Sequence, residues 1–198
     1  MDEVKKQTKR TPAERETEEV AEEARRLFFY HAETGLILRR CYWKGANIGE
    51  EAGGEFHGKD GQIYRLISVC NSRFRSHRIA WLLHYGEWPL LNIDHRDGNG
   101  LNNRIANLRE ATVQQNGMNL KMSSKNTSGV TGVSFKKSEG RWIAAIALHQ
   151  KQIHLGYFRN FEDAVKARKE AERKYGFSER HGTKEATLVP PASCDRIP

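Results

Sequence analysis

The sequence predicts an α+β chain: an N-terminal helix, a region of β-hairpins, a strand–loop–strand–helix hairpin, and a three-stranded antiparallel sheet packed on one helix. Three observations predict it. Helical signals are confined to Thr11–Phe28, His77–Tyr85, a short stretch from Val113, and Phe161–Tyr175. Elsewhere apolar pieces of a few residues alternate with glycine-bearing turns, the pattern of short strands that pair with their neighbours in sequence. No apolar run approaches the ~18 residues that would span a bilayer, and Met1–Arg10 is charged and lacks an apolar core, so the expectation is a cytoplasmic chain without a secretory leader.

The elements follow in order. Thr11-Pro12-Ala13-Glu14 reads as a capping box with proline at the first helical position, and Val20, Ala24, Leu27 and Phe28 then mark one narrow apolar face. A charged helix is therefore expected within residues 1–28. Residues 29–90 form a β-rich region: Leu36-Ile37-Leu38 and Tyr64–Val69 are strands, with turns at Gly35, Gly45, Gly53-Gly54, Gly58 and Gly61. A short helix, His77 to Tyr85, closes it at Gly86, with Trp88-Pro89 as the exit. Residues 91–124 hold a strand ending in Asp94-His95, a polar loop, a returning strand Leu108–Thr112, and a helix from Val113. In residues 126–177, Val130–Lys136, Trp142–Leu148 and Ile153–Phe158 are strands and Phe161 opens a helix that stops at Gly176. Residues 178–198 carry no periodic pattern and are expected to be loose.

The chain of 198 residues has 33 basic and 25 acidic side chains, a net charge of +8. Ten basic and five acidic side chains fall in residues 127–176, so +5 of that charge sits in fifty residues. Such a concentration favours nucleic acid as a partner. Cys41, Cys70 and Cys194 are odd in number and lack metal-site spacing, which argues against a disulfide framework and a structural zinc site.

Asp94-His95 is the chemical focus. A carboxylate can hold a hard divalent cation, and a neutral imidazole can deprotonate water at physiological pH. Taken alone, Asp-His followed by Asp97-Gly98 also has the composition of a surface turn, and asparagines are favoured in turns. The spacing adds information, since Asn107 follows His95 by twelve positions and Asn116 by twenty-one.

With Ile93–Asn99, Asn102-Asn103, Asn107-Leu108-Arg109 and Gln115-Asn116 in this register, residues from about Leu27 to Lys121 resemble an HNH homing endonuclease of the phage type. The preceding His77–Leu83 and Gly86–Pro89 fit the same resemblance. The third motif position holds Asn116 where the family name has histidine, an H-N-N variant. The resemblance implies a ββα-metal hairpin with His95 as general base, and Asp94 and Asn116 as protein ligands of one Mg²⁺ or Mn²⁺ ion. It implies that Asn107 fixes the loop and orients the His95 ring. Asn119, one helical turn further on, is the alternative second ligand.

In the basic segment, alternation gives one face with Trp142, Ala144, Ile146 and Leu148, and a second with Ile143, Ala145, Ala147 and His149. Ile153, Leu155 and Tyr157 are expected opposite Gln152, His154 and Gly156. One face packs on the helix; the other, small, polar and basic, can lie in a major groove. The candidate DNA-binding residues are Ser134, Lys136, Lys137, Arg141, Lys151, Gln152 and His154, with Lys136 and Arg141 meeting phosphates first. Gly132–Phe135, Arg141–Ile146 and His154–Phe158, with Ala164 and Ala167 on the helix, make residues 128–176 resemble an AP2/ERF DNA-binding domain. The family's base-reading positions are occupied here by Ser134, Ala145, Ala147, Gln152 and His154, so the resemblance carries the fold and not the target sequence.

Together the resemblances imply a metal-dependent, site-specific endonuclease of double-stranded DNA in a phage or its bacterial host, as a monomer that nicks or a dimer that makes staggered cuts. The competing reading is a DNA-binding regulator that keeps the hairpin only as a fold element. An RNA-binding module is disfavoured by the absence of an aromatic-bearing RNP-type strand.

Overall fold

The computed structural model describes residues 12–42, 45–58, 61–123, 125–149 and 151–183. It is a mixed α+β chain of small antiparallel sheets. It divides into two compact units: one runs to Ile93 and takes in Gly100–Leu108, and the other comprises Asp94–Asn99 with the chain from Arg109 onward.

The first unit opens with α1 (Pro12–Arg15) and α2 (Glu18–Leu27). A single helix from Thr11 to about Phe28 was expected. Thr11 lies outside the described residues, and the helix is broken at Glu16-Thr17. Two contacts account for the break. Thr17 is extended and its hydroxyl accepts the N–H of Val20 as an N-cap, while the buried Glu16 carboxylate turns aside to take both Nε and Nη2 of Arg78, at 2.5 and 2.6 Å.

Strands β1 (Phe28–His31) and β2 (Leu36–Arg39) form a hairpin, and β3 (Gly54–His57), β4 (Ile63–Val69) and β5 (Ser72–Arg75) form a three-stranded sheet with β4 in the middle. The β4–β5 turn is Cys70-Asn71, both at positive φ (45° and 59°), the two-residue geometry whose twist suits antiparallel strands. Helix α3 (Ser76–Tyr85) ends at Gly86 in the left-handed conformation (φ 84°), where glycine pays no Cβ penalty. Its Ile79 and Leu82 are fully buried and pack with Val20, Phe28, Ile37, Ile67, Val69 and Phe74.

Ile93 and Leu108 join this core, so the two chain segments that lead into and out of the Asp94–His95 region are anchored by burial. The Gly100–Leu108 loop is tied down by hydrogen bonds. Tyr30 donates its hydroxyl to the Asn103 carbonyl (2.7 Å), Asn103 Nδ2 donates to Ser76 Oγ (2.9 Å), and the Ile105 N–H reaches the Ala32 carbonyl (3.1 Å).

The second unit contains β8 (Val133–Lys136), β9 (Arg141–Leu148) and β10 (Lys151–Phe158), with β9 central, and α5 (Phe161–Lys174) packed across them. Val133, Ala144 and Ala164 are its buried centre, flanked by Trp142, Leu155, Phe158 and Phe161. Residues from Ser178, expected to be loose, are held as far as Thr183. Ser178 N–H bonds the Met118 carbonyl, Gly182 N–H the Leu120 carbonyl, and Met122 N–H the Thr183 carbonyl. The expectation failed because these partners are backbone groups some sixty residues upstream, which no local pattern reports. Residues 184–198, including Cys194, lie outside the described residues. Cys41 and Cys70 are free thiols. No described helix is long and apolar enough to cross a membrane.

Candidate nuclease site and nucleic-acid interface

Strand β6 (Asn92–His95) pairs with β7 (Leu108–Ala111) and ends on two buried polar side chains, Asp94 and His95, 6% and 5% exposed. Such burial is costly unless the groups are satisfied. The Asp94 carboxylate is satisfied from two directions. Arg109 on β7 donates Nε (3.0 Å) and Nη2 (2.7 Å) to Oδ2, and Asn119 Nδ2 lies 3.1 Å from each carboxylate oxygen and 2.8 Å from the His95 carbonyl. Gly98 N–H closes the following turn onto the His95 carbonyl at 2.9 Å, and Asp97 Oδ1 accepts the Asn99 N–H at 2.8 Å.

Thr112 starts α4 (Val113–Gly117) through a complete capping box. Its hydroxyl accepts the Gln115 N–H and the Gln115 side chain accepts the Thr112 N–H. Asn116 stands half-buried in the last turn of this helix, and its side-chain amide has no hydrogen-bond partner among the described residues. Asn119 follows two residues past the helix and is 2% exposed. The two asparagines weighed for the second ligand position are thus separated. Asn119 touches Asp94 through its nitrogen, with its Oδ1 buried and unpartnered, and Asn116 is the more accessible of the two.

Asn107 belongs to the other unit, in the 3-10 turn Ile105–Asn107. Its Nδ2 donates to the Asn102 carbonyl at 2.8 Å, closing the loop on itself. Arg109 carried no expected role, although the alternation of β7 places it opposite the buried Leu108.

These residues fit a hard divalent cation of the kind that keeps most of its waters. There is one carboxylate, neutral amide oxygens at Asn116 and Asn119, and an orphaned buried oxygen beside the carboxylate. No group of three or more His, Cys, Asp or Glu side chains that could form a closed metal cage occurs among the described residues.

On the sheet, the register decides which candidates share a surface. Ser134 pairs with Ile143, Lys136 with Arg141, Gln152 with Ala147 and His154 with Ala145, so Ser134, Lys136, Arg141, Gln152 and His154 share one face. All but the half-buried Lys136 are exposed. Lys137 sits in the β8–β9 turn, and Lys151 pairs with Leu148 on the opposite face. Lys136 Nζ binds Glu139 Oε1 at 2.5 Å, which raises its pKa from the usual lysine value.

One assignment is corrected here. Tyr157 was expected on the face of Ile153 and Leu155, but the register shifts between His154 and Gly156, and Tyr157 pairs with Ile143. The bulge, with Gly156 at φ 147°, turns Tyr157 onto the face of Ser134 and His154, where its ring lies 4.5 Å from that of His154. Lys151 and Gln152 line a cavity of about 770 Å³ together with Gln114, Met118 and His181, so α4 and the edge of the sheet bound a common space.

At the rear of this unit, Arg168 is 3% exposed. It donates to Glu172 (2.9 Å) and to the Ala145 carbonyl (2.6 Å), and contacts His181 Nε2 at 3.2 Å. Burial holds the His181 imidazole below the usual value of 6.5, Glu172 opposes, and Arg168, Lys169 and Arg180 push the same way as burial. The folded state therefore keeps His181 neutral where the unfolded chain takes up a proton. The resulting stability is intact above about pH 6.5 and is lost as pH falls toward the depressed folded value. Thermal midpoints measured from about pH 8 to 5 are expected to fall more for the wild type than for His181→Gln. Equal slopes would remove His181 as the source.

Residues 75–118 match the HNH endonuclease family. The chain is 38% identical over 79 residues to Protein 3.8 of Escherichia phage T7, an alignment covering 39% of this chain and 65% of that protein. The chain therefore spans just under two thirds of that relative's length. No solved structure matches it.

Proposed function

We propose that this chain is a metal-dependent DNA endonuclease of the homing type, which hydrolyses a phosphodiester bond of double-stranded DNA at Asp94 and His95. The observation that carries the reading is the buried Asp94-His95 pair, braced by Arg109 and Asn119 inside the segment that matches the HNH family.

Asp94 would be the anionic ligand for one Mg²⁺ or Mn²⁺ ion, and Asn116 would supply a neutral oxygen from the end of α4. A bound divalent cation supplies polarisation of the scissile phosphate and neutralises charge on the leaving oxygen. His95 takes the proton of the attacking water on an imidazole nitrogen, and Asn107 holds the loop in shape through its bond to the Asn102 carbonyl. The products carry a 5′-phosphate and a 3′-hydroxyl. Arg109 contacts Asp94 Oδ2 and, at 34% exposure, could also donate to a phosphate oxygen of bound DNA.

The sheet of β8–β10 holds the DNA in the manner of an AP2/ERF domain. Ser134, Lys136, Arg141, Gln152 and His154 face the duplex, joined by Tyr157, and Lys137 and Lys151 contact phosphates at the margins. Incubation with supercoiled phage or host DNA and Mn²⁺ is expected to give open circles, and a chelator is expected to abolish them while leaving DNA binding in a gel shift. Binding without cutting under any divalent metal would favour the regulator instead.

A further inference from the structure

The match to the nuclease family ends at residue 118, yet one side chain of the nuclease centre comes from far beyond it. Arg180 lies in the turn that follows α5. Its Nη2 donates to the carbonyl of Asn119, the residue whose amide grips Asp94. Its guanidinium lies flat against Gly98, in the turn that carries Asp94 to Asn99. A Cβ at that glycine would collide with the guanidinium carbon and both terminal nitrogens. Gly98 holds a φ of 70°, which favours glycine, and any side chain there would have to displace the Arg180 guanidinium. The Nε and Nη1 of Arg180 are buried and have no hydrogen-bond partner among the described residues. The backbone bonds from Ser178 to Met118, Gly182 to Leu120 and Met122 to Thr183 fix the turn on both sides of the arginine.

A buried guanidinium with unmet donors is expensive to keep and is not explained by packing of α5. Burial disfavours its charge, and the Asp94 and Asp97 carboxylates favour it.

We propose that Arg180 is a positioning residue of the nuclease centre: as a plate beneath Gly98 and a donor to Asn119, it sets the Asp94–Asn99 turn and the amide that aims the Asp94 carboxylate. The segment after the sheet-and-helix module is then a structural part of the centre, and that module completes the site as well as holding DNA. The consequence for cutting rests on the nuclease reading above; the consequence for the turn does not.

The test uses the full chain as wild type, Arg180→Ala and Arg180→Lys. In metal-free protein, amide hydrogen exchange in residues 94–99 and at Asn119 is expected to speed up by about tenfold or more in Arg180→Ala, with β9 and α3 unchanged as a check on the fold. Arg180→Lys keeps the charge but not the flat plate, and is expected to show the same faster exchange. Nicking is expected to fall about 10–100-fold with a higher Mn²⁺ requirement, the effect usual for groups that orient metal ligands, while DNA binding in chelator stays unchanged. Unchanged exchange in the 94–99 turn of Arg180→Ala overturns the proposal whatever happens to nicking. Full recovery of exchange and metal requirement in Arg180→Lys overturns the plate role. If the wild type cuts no DNA, the nuclease reading fails and the exchange arms still decide whether Arg180 holds the turn.

Discussion

His95→Ala is expected to lower single-turnover nicking by about 10²–10⁴-fold, the usual contribution of a positioned general base. The metal requirement and the affinity for DNA in chelator should stay unchanged. His95 is 5% exposed at the end of β6. Raising the pH is expected to recover part of the lost rate, because hydroxide can replace a water that needs a base. A variant that nicks at the wild-type rate would remove His95 from the chemistry.

Asp94→Asn is expected to cost at least about 100-fold, since outer partners of metal ligands alone cost up to that much. The substitution preserves shape and burial but removes the one negative charge that Arg109 and Asn119 converge on. Unlike His95→Ala, it should shift the Mn²⁺ titration to higher concentration. The Arg109 side of the ion pair it breaks is 34% exposed, so water can take up the freed guanidinium, and circular dichroism of the variant checks that the fold is retained. Titrating nicking against Mn²⁺ for both variants separates the roles: a shifted curve for Asp94→Asn, and an unshifted, lowered curve for His95→Ala. Identical curves for the two would show that the ligand and base roles are not divided in this way.

The parts of the chain that were legible in the sequence are those with local causes. Helix α3 was expected from His77 to its glycine stop at Gly86, and α4 begins at Val113 where a helix was expected to follow the returning strand. Asp94 and His95 stand out because an acid and an imidazole close an apolar strand.

What was not legible depends on contacts distant in sequence or on a single inserted residue. The break at Thr17 needs Glu16 to meet Arg78, 62 positions away. The change of face at Tyr157 comes from one bulged residue, and Gly156 was its only local sign. Arg180 meets Asn119 across 61 positions, from a stretch without pattern. The role of Asn119 was weighed as a spacing alternative to Asn116, and only its burial and its bonds to Asp94 and the His95 carbonyl distinguish the two.

The most direct measurement is to map the ends left on a nicked duplex, with wild type and His95→Ala run side by side in Mn²⁺ and in chelator. Hydrolysis at Asp94 and His95 predicts a single strand break bearing a 5′-phosphate and a 3′-hydroxyl, formed only with metal and about 10²–10⁴-fold more slowly by His95→Ala. Breaks that form at the wild-type rate in His95→Ala, that appear in chelator, or that carry a 3′-phosphate would contradict it.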